Sequence, residues 1–217
     1  MERTAPPGYG SSPAPGGYGA GPAPGGYGAS AGPGGFAPPG RSGPPPGADP
    51  QLWAMFSAVD RDLSGAISAT ELQEALINGD WSPFDLDTVK LLMTMFDTDR
   101  SGTIGFNEFS GLWQYILDWQ NVFKHFDRDQ SGSIEGSELA QALQQFGYNL
   151  SPKLLGLVQR KYGGRNAAPP GITFDRFVRA CVVIKQLSEC FRKLDTDNDG
   201  WVQINYDQFM ETVLQLP

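Results

Sequence analysis

Apolar residues recur at helical spacing along most of the chain and are broken at regular intervals by polar stretches. Leu52, Trp53, Phe56 and Val59 share one face, and Leu72, Ala75 and Leu76 continue it beyond a polar gap. Val89, Leu92, Met93 and Phe96 form the next stripe, with Asp85 placed to cap its start. A long stripe follows, through Phe109, Leu112, Trp113, Ile116, Trp119, Phe123 and Phe126. A second long one carries Phe177, Cys181, Ile184, Leu187, Phe191 and Leu194. Between the two, Gly147 reads as a helix stop, and Ser151-Pro152 as an N-cap with proline at the first helical position. The pattern predicts an all-α domain of about eight helices over residues 49–217.

The polar gaps repeat one design. Asp127–Glu138 reads DRDQSGSIEGSE, with Asp127, Asp129 and Ser131 at positions one, three and five, the Ser133 carbonyl at seven, Glu135 at nine and Glu138 at twelve. Gly132 at six gives the sharp turn, because glycine takes positive φ without steric cost. Ile134 at eight points into a core. A hard dication of calcium's size takes six to eight oxygens in a flexible cage, and this spacing supplies them. The motif is an EF-hand loop.

Asp60–Glu71 repeats it with Asp60, Asp62, Ser64, the Ala66 carbonyl, Ser68 and Glu71. Asp97–Glu108 repeats it with Asp97, Asp99, Ser101, the Thr103 carbonyl and Glu108; Gly105 at nine leaves that position to water. Asp195–Tyr206 keeps Asp195, Asp197, Asp199, the Trp201 carbonyl and Gln203, but Tyr206 replaces the closing glutamate. That loop is read either as a weak calcium site or as a structural one. Arg165–Arg176 keeps Ile172 and Phe177 at the expected apolar positions and lacks the acidic ligands, so it is a hand without metal. Asp, Ser and Gly are also ordinary turn residues. Three full matches with Gly at six, Ile at eight and Glu at twelve go beyond that.

The loops begin at 60, 97, 127, 165 and 195, so one helix must join the second loop to the third and another the fourth to the fifth. EF-hand loops pair through a short antiparallel ladder at position eight. Ile67 is therefore expected opposite Ile104, and Ile134 opposite Ile172. Val202 is left over, and an unpaired apolar strand edge invites a second copy. Phe209, Val213 and Leu214 on the last helix would widen such a contact.

Composition sets apart residues 1–48, which hold most of the glycine and proline, with PAPGGYGA at Pro13–Ala20 and again at Pro22–Ala29. Such a segment buries too little apolar surface to offset its chain entropy. It is expected to be disordered, serving as a linker or, through Tyr9, Tyr18, Tyr27 and Phe36, as a contact segment; a further reading has it occupy the chain's own groove in cis. The N-terminus shows no secretory pattern, and Glu2 excludes myristoylation of a leading glycine. No run approaches the roughly 18–20 apolar residues of a membrane span. Cys181 and Cys190 fall on one helix, about 13 Å apart along its axis, too far to bridge, which suits reduced thiols in the cytoplasm. The net charge of −8 suits cations and argues against nucleic acid. His125 is the single histidine, and no nucleophile–base, zinc or phosphate-cradling motif appears, so no catalysis is expected.

Five hands after a Gly/Pro-rich tail resemble the penta-EF-hand family, as do DWQNVF at Asp118–Phe123, FGYNLS at Phe146–Ser151 and FRKLDTDNDGWVQINYDQF at Phe191–Phe209. The resemblance covers residues 49–217. It implies a dimer through the fifth hand, with itself or with a paralogue, and calcium-dependent capture of proline-rich segments. It also implies reversible recruitment to endoplasmic reticulum or endosomal membranes from the cytoplasm, a further presence in the nucleus, and work in vesicle transport, membrane repair or cell-death signalling. Trp113, Trp119, Phe146 and Tyr148 are candidates to line the capturing groove, or else are interhelical core. A regulatory subunit of a cysteine protease and a calcium buffer are the alternative readings. Magnesium is the competing occupant of the loops at rest.

Overall fold

In a computed structural model that describes residues 43–164 and 171–214, each stretch of helical spacing is a helix. The order is α1 (Pro50–Val59), α2 (Ala69–Ala75), α3 (Leu86–Phe96), α4 (Phe106–Phe126), α5 (Gly136–Gln145), α6 (Pro152–Tyr162), α7 (Phe174–Leu194) and α8 (Tyr206–Leu214). The protein is all-α, with paired EF-hands. Helix α4 leaves the second loop and enters the third, and α7 joins the fourth to the fifth. Residues 1–42 of the Gly/Pro-rich segment and 165–170 of the fourth loop lie outside the described residues.

Local chemistry sets the helix ends. Asp49 accepts hydrogen bonds from the amides of Gln51 and Leu52 and so caps α1, with Pro50 at the first position. Ser151 caps α6 through the Leu154 amide, again ahead of a proline. Helix α5 ends at Phe146, and Gly147 follows at φ +86°. Asp85 occupies the N-cap position of α3, but its side chain makes no capping bond and turns instead to Arg179, 2.9 Å away. Charge pairing outcompetes capping there.

Two antiparallel bridges tie the loops in pairs. Ile67 and Ile104 exchange both backbone hydrogen bonds at 2.8 Å, and Ile134 and Ile172 do so at 2.8 and 2.9 Å. All four isoleucines are fully buried. Gly171 permits the second bridge: a Cβ there would sit 2.1 Å from the Ser133 hydroxyl.

Aromatic rings fill two connected regions of core. Trp53, Phe56, Phe106, Phe109 and Trp113 pack around the first pair of hands. Trp119, Phe123, Phe126, Phe146, Phe174 and Phe177 pack where α4, α5 and α7 meet. Trp119 is 2% exposed, so among the groove candidates it is core, while Trp113, Phe146 and Tyr148 remain half-buried.

A polar tie joins the two regions. The buried Asn78 accepts a hydrogen bond from the Asp175 amide, and the buried Asp175 carboxylate accepts one from the Asp85 amide at 2.6 Å. Arg179 adds ion pairs to Asp85 and Asp87. Buried polar groups paired this fully fix one arrangement of α7 against the α2–α3 connection.

Candidate metal centre

Four clusters of carboxylates form at the loops, and each brings its ligand oxygens within 4.8 Å of one another. They are Asp60, Asp62 and Glu71; Asp97, Asp99 and Glu108; Asp127, Asp129 and Glu138; and Asp195, Asp197 and Asp199. The first three are the predicted loops with positions one, three and twelve converged. The fourth lacks a twelfth-position carboxylate, and Tyr206 is 74% exposed.

Main-chain amides hold these groups in place. In the third loop the Ser131 amide donates to Asp127 and Asp129, and the Gly132 amide donates to the other Asp127 oxygen at 3.0 Å. The same bonds recur around Asp60 and Asp97, and around Asp195 in weaker form, at 3.1–3.2 Å. The glycine at position six has φ between +77° and +85° in all four loops. A feature not read from the sequence lies two residues earlier. Leu63, Arg100, Gln130 and Asn198 all have positive φ, between +55° and +59°. Four unlike side chains in one left-handed conformation show that the loop's hydrogen bonds, not residue preference, dictate the turn.

The closing glutamate does two things. One oxygen of Glu71, Glu108 or Glu138 accepts from the amide at position two, at 3.0, 2.6 and 3.0 Å. The other accepts from the amide at position nine, at 2.9, 3.0 and 3.0 Å. Position nine is the N-cap of the helix leaving the loop, so the glutamate is also that helix's N3 capping residue. Ser68 returns the bond to the Glu71 amide and completes a capping box.

In hand five the helix starts late. Helices α2, α4 and α5 begin at position ten of their loops, but α8 begins at Tyr206, position twelve. Asn205 and Gln208 cap it reciprocally, with bonds of 3.1 and 2.9 Å between each amide and the other's side chain.

The electrostatics fit a dication. Hydrogen bonds from Ser64 and Ser101, hydroxyl and amide, hold the Asp62 and Asp99 carboxyls below their usual range, and the Ser131 amide and hydroxyl do so for Asp129. For Glu71, burial works upward, but the Ser68 amide and hydroxyl and the amides of Asp62 and Arg61 outweigh it. Asp127 goes the other way: burial raises it first, and a hydrogen bond with the Asp129 side chain and the like charge of Glu138 push the same way. Crowded, anionic, oxygen-only donors are what a hard cation binds. The Ser64, Ser101 and Ser131 hydroxyls each point at the position-seven carbonyl, at 2.8, 3.2 and 2.9 Å. The fifth- and seventh-position oxygens therefore lie together beside the carboxylates.

The sequence matches the EF-hand domain pair over residues 50–114 and 117–214. It is 43% identical to peflin of Homo sapiens across 79% of this chain and 60% of that protein. It is 38% identical to sorcin of Homo sapiens across 83% of this chain and 90% of sorcin. A rice protein, the calcium-binding protein CBP of Oryza sativa subsp. japonica, is 42% identical over 78% of this chain and 58% of its own. The chain spans between 58% and 63% of the length of the peflins it matches. Among solved structures, a homologue of programmed cell death 6 protein from Leishmania major Friedlin superposes with a TM-score of 0.65 at 31% identity. That superposition covers 75% of this chain and 92% of the other. Fold, loops and relatives together define a calcium-binding EF-hand protein. The chain belongs to the penta-EF-hand family.

Proposed function

We propose that this protein is a calcium sensor and adaptor that holds calcium in its first three loops, assembles through its fifth hand and captures proline-rich segments of other proteins. The loop ligands are Asp60, Asp62, Ser64, the Ala66 carbonyl and Glu71; Asp97, Asp99, Ser101, the Thr103 carbonyl and Glu108; and Asp127, Asp129, Ser131, the Ser133 carbonyl and Glu138. Asp195, Asp197, Asp199 and the Trp201 carbonyl form a weaker fourth set, because Tyr206 offers no carboxylate. Calcium supplies charge neutralisation at these clusters, while the chain's own amides keep the carboxylates converged. Residues 49–217 act as one domain behind a Gly/Pro-rich tail. Among the described residues no helix is long and apolar enough to cross a membrane, which suits recruitment to membranes through partners.

The observation that carries the assembly is the surface of hand five. Phe191, Trp201, Phe209, Val213 and Leu214 are between 42% and 81% exposed, and Val202 has no bridge partner among the described residues. Exposed large apolar side chains beside an unpaired loop segment mark a protein-binding face. The equivalent isoleucines of the other loops are fully covered.

Calorimetric calcium titration of the full chain in physiological magnesium, followed by light scattering, tests the reading. Three ions per chain, with affinities in the roughly 10⁻⁷–10⁻⁵ M sensor range, and a two-chain mass are expected. Nanomolar saturation without new apolar exposure would make the protein a buffer. A monomer at all concentrations would end the hand-five assignment.

A further inference from the structure

Helix α6 has a face that the rest of the fold leaves open. Its sequence, PKLLGLVQRKY, turns Tyr162 into the core at 5% exposure, with Leu155 and Val158 packed beside it. At 3.6 residues per turn, Lys153, Leu154, Leu157, Arg160 and Lys161 fall within an arc of about 120° on the other side. Leu154 and Leu157 are 46% and 45% exposed, and the three cations are exposed as well. None of the three makes an ion pair among the described residues; Lys161 lies over the ring of Tyr162.

The charge of this face runs against that of the chain. The protein holds 24 acidic residues and a net charge of −8, yet no Asp or Glu occurs between Glu138 and Asp175. Arg160 and Lys161 stand in the last turn of α6, where the helix dipole favours cations. Lys153 stands in the first turn, where the dipole disfavours one, so helix stability does not account for the whole set. Arg176 of α7 borders a cleft together with Arg160 and Lys161 and adds a fourth cation with no ion pair among the described residues. The acids of that cleft are engaged: Asp85 and Asp87 with Arg179, Asp80 with Ser82, and Asp175 with Thr173 and the Asp85 amide.

Leucines interleaved with long cations on the outside of a helix fit one kind of surface. A bound peptide is held in a groove, and these side chains stand on a convex face. At a bilayer, leucines enter the boundary between headgroups and acyl chains. The stems of Lys and Arg lie along that boundary and leave their charges among anionic headgroups. We propose that the outer face of α6, with Arg176, docks directly on an anionic membrane surface. This rests on the sensor reading of the preceding subsection and goes beyond recruitment through partners. Calcium enters through charge. The calcium-free chain is repelled as a whole by an anionic bilayer, and three dications cancel most of its net charge of −8. Docking is therefore favoured by calcium without any movement of α6.

The test uses the full chain and sedimentation with vesicles of phosphatidylcholine alone or mixed about three to one with phosphatidylserine. In calcium the protein should sediment with the mixed vesicles, stay free of the neutral ones, and be released by added salt. Lys153→Gln, Arg160→Gln and Lys161→Gln combined should weaken vesicle binding roughly hundredfold, at about fivefold per cation. Leu154→Ser with Leu157→Ser should weaken it about tenfold through lost apolar burial. Both variants should keep a thermal midpoint and a calcium titration close to wild type, because no changed side chain is buried or a loop ligand. Wild-type vesicle affinity in either variant overturns docking through this face. Equal binding to neutral vesicles overturns the charge argument, and capture of polyglutamate with no vesicle binding assigns the face to an acidic protein instead. A chain that titrates with calcium and ignores the mixed vesicles loses this inference and keeps the sensor reading. One that takes up no calcium loses both.

Discussion

Hands three and five share a backbone and differ at one end. Both loops hold the first-position aspartate through amides at positions five and six, and both turn through a left-handed residue at four and a glycine at six. Hand three then closes with Glu138, which gathers the amides of Arg128 and Glu135 and starts α5 at position ten. Hand five has Tyr206 in that place, and α8 starts two residues later on a cap of its own. The twelfth residue is thus both the last carboxylate of the proposed metal set and the first clamp of the outgoing helix. Losing it separates the helix from the loop and leaves Trp201, Tyr206 and Phe209 exposed. On the proposed reading, a site that gives up its clamp becomes a surface for another chain.

Removing the clamp from hand three is the most severe way to break that comparison. Glu138→Ala should abolish binding at the third loop in a calorimetric titration, reducing the stoichiometry by one ion. It should also destabilise the calcium-free protein by about 1 kcal/mol through loss of the N3 cap. The second effect, read by thermal unfolding in chelator, separates the structural role from ligation. Glu138→Gln, which keeps a capping carbonyl, should lose the ion but retain most of that stability.

The reverse change sharpens the comparison. Tyr206→Glu restores a twelfth-position carboxylate to a loop that already converges Asp195, Asp197 and Asp199. The titration should gain one ion, with affinity at the fifth loop rising by roughly one to two powers of ten. Re-clamping should also draw the start of α8 back toward Gln203, visible as changed amide shifts at Ile204 and Asn205. If the extra ion appears while Ile204 and Asn205 stay put, ligation and clamping are separable functions of that position.

Much of this was legible in the chain. The twelve-residue spacing picked out the four acidic clusters that converge, and the apolar residue at position eight predicted both isoleucine bridges. Gly147 and Ser151-Pro152 marked their helix ends because φ and capping are local properties. Features that depend on distant partners were not legible. The Asn78–Asp175 bond joins residues 97 apart, and no local pattern announces it. Asp85 looked like a helix cap, but Arg179, brought up by α7, took its side chain. Trp119 stood open between groove residue and interhelical core, and α7, which covers it with Phe177, makes it core. The late start of α8 did leave a mark, since Asn205-Tyr206-Asp207-Gln208 has the form of a capping signal. The twelve-residue template drew attention to Tyr206 and past it.

The smallest change examines that substitute cap alone. Asn205→Ala removes the side-chain oxygen that accepts from the Gln208 amide. N-cap loss costs about 1 kcal/mol in a helix that reports on overall stability. Here α8 is exposed along its length and contributes no fully buried side chain, so its fraying is expected to be local. Global unfolding should therefore barely move, while amide hydrogen exchange in the first turn of α8 should quicken roughly fivefold, as expected of a cap worth about 1 kcal/mol. The same variant should weaken self-association in proportion, because Phe209 and Val213 ride on that helix. A full-sized loss of global stability would instead mean that hand five is knit into the core as tightly as hand three, and that its exposed face is not free to serve as a docking surface.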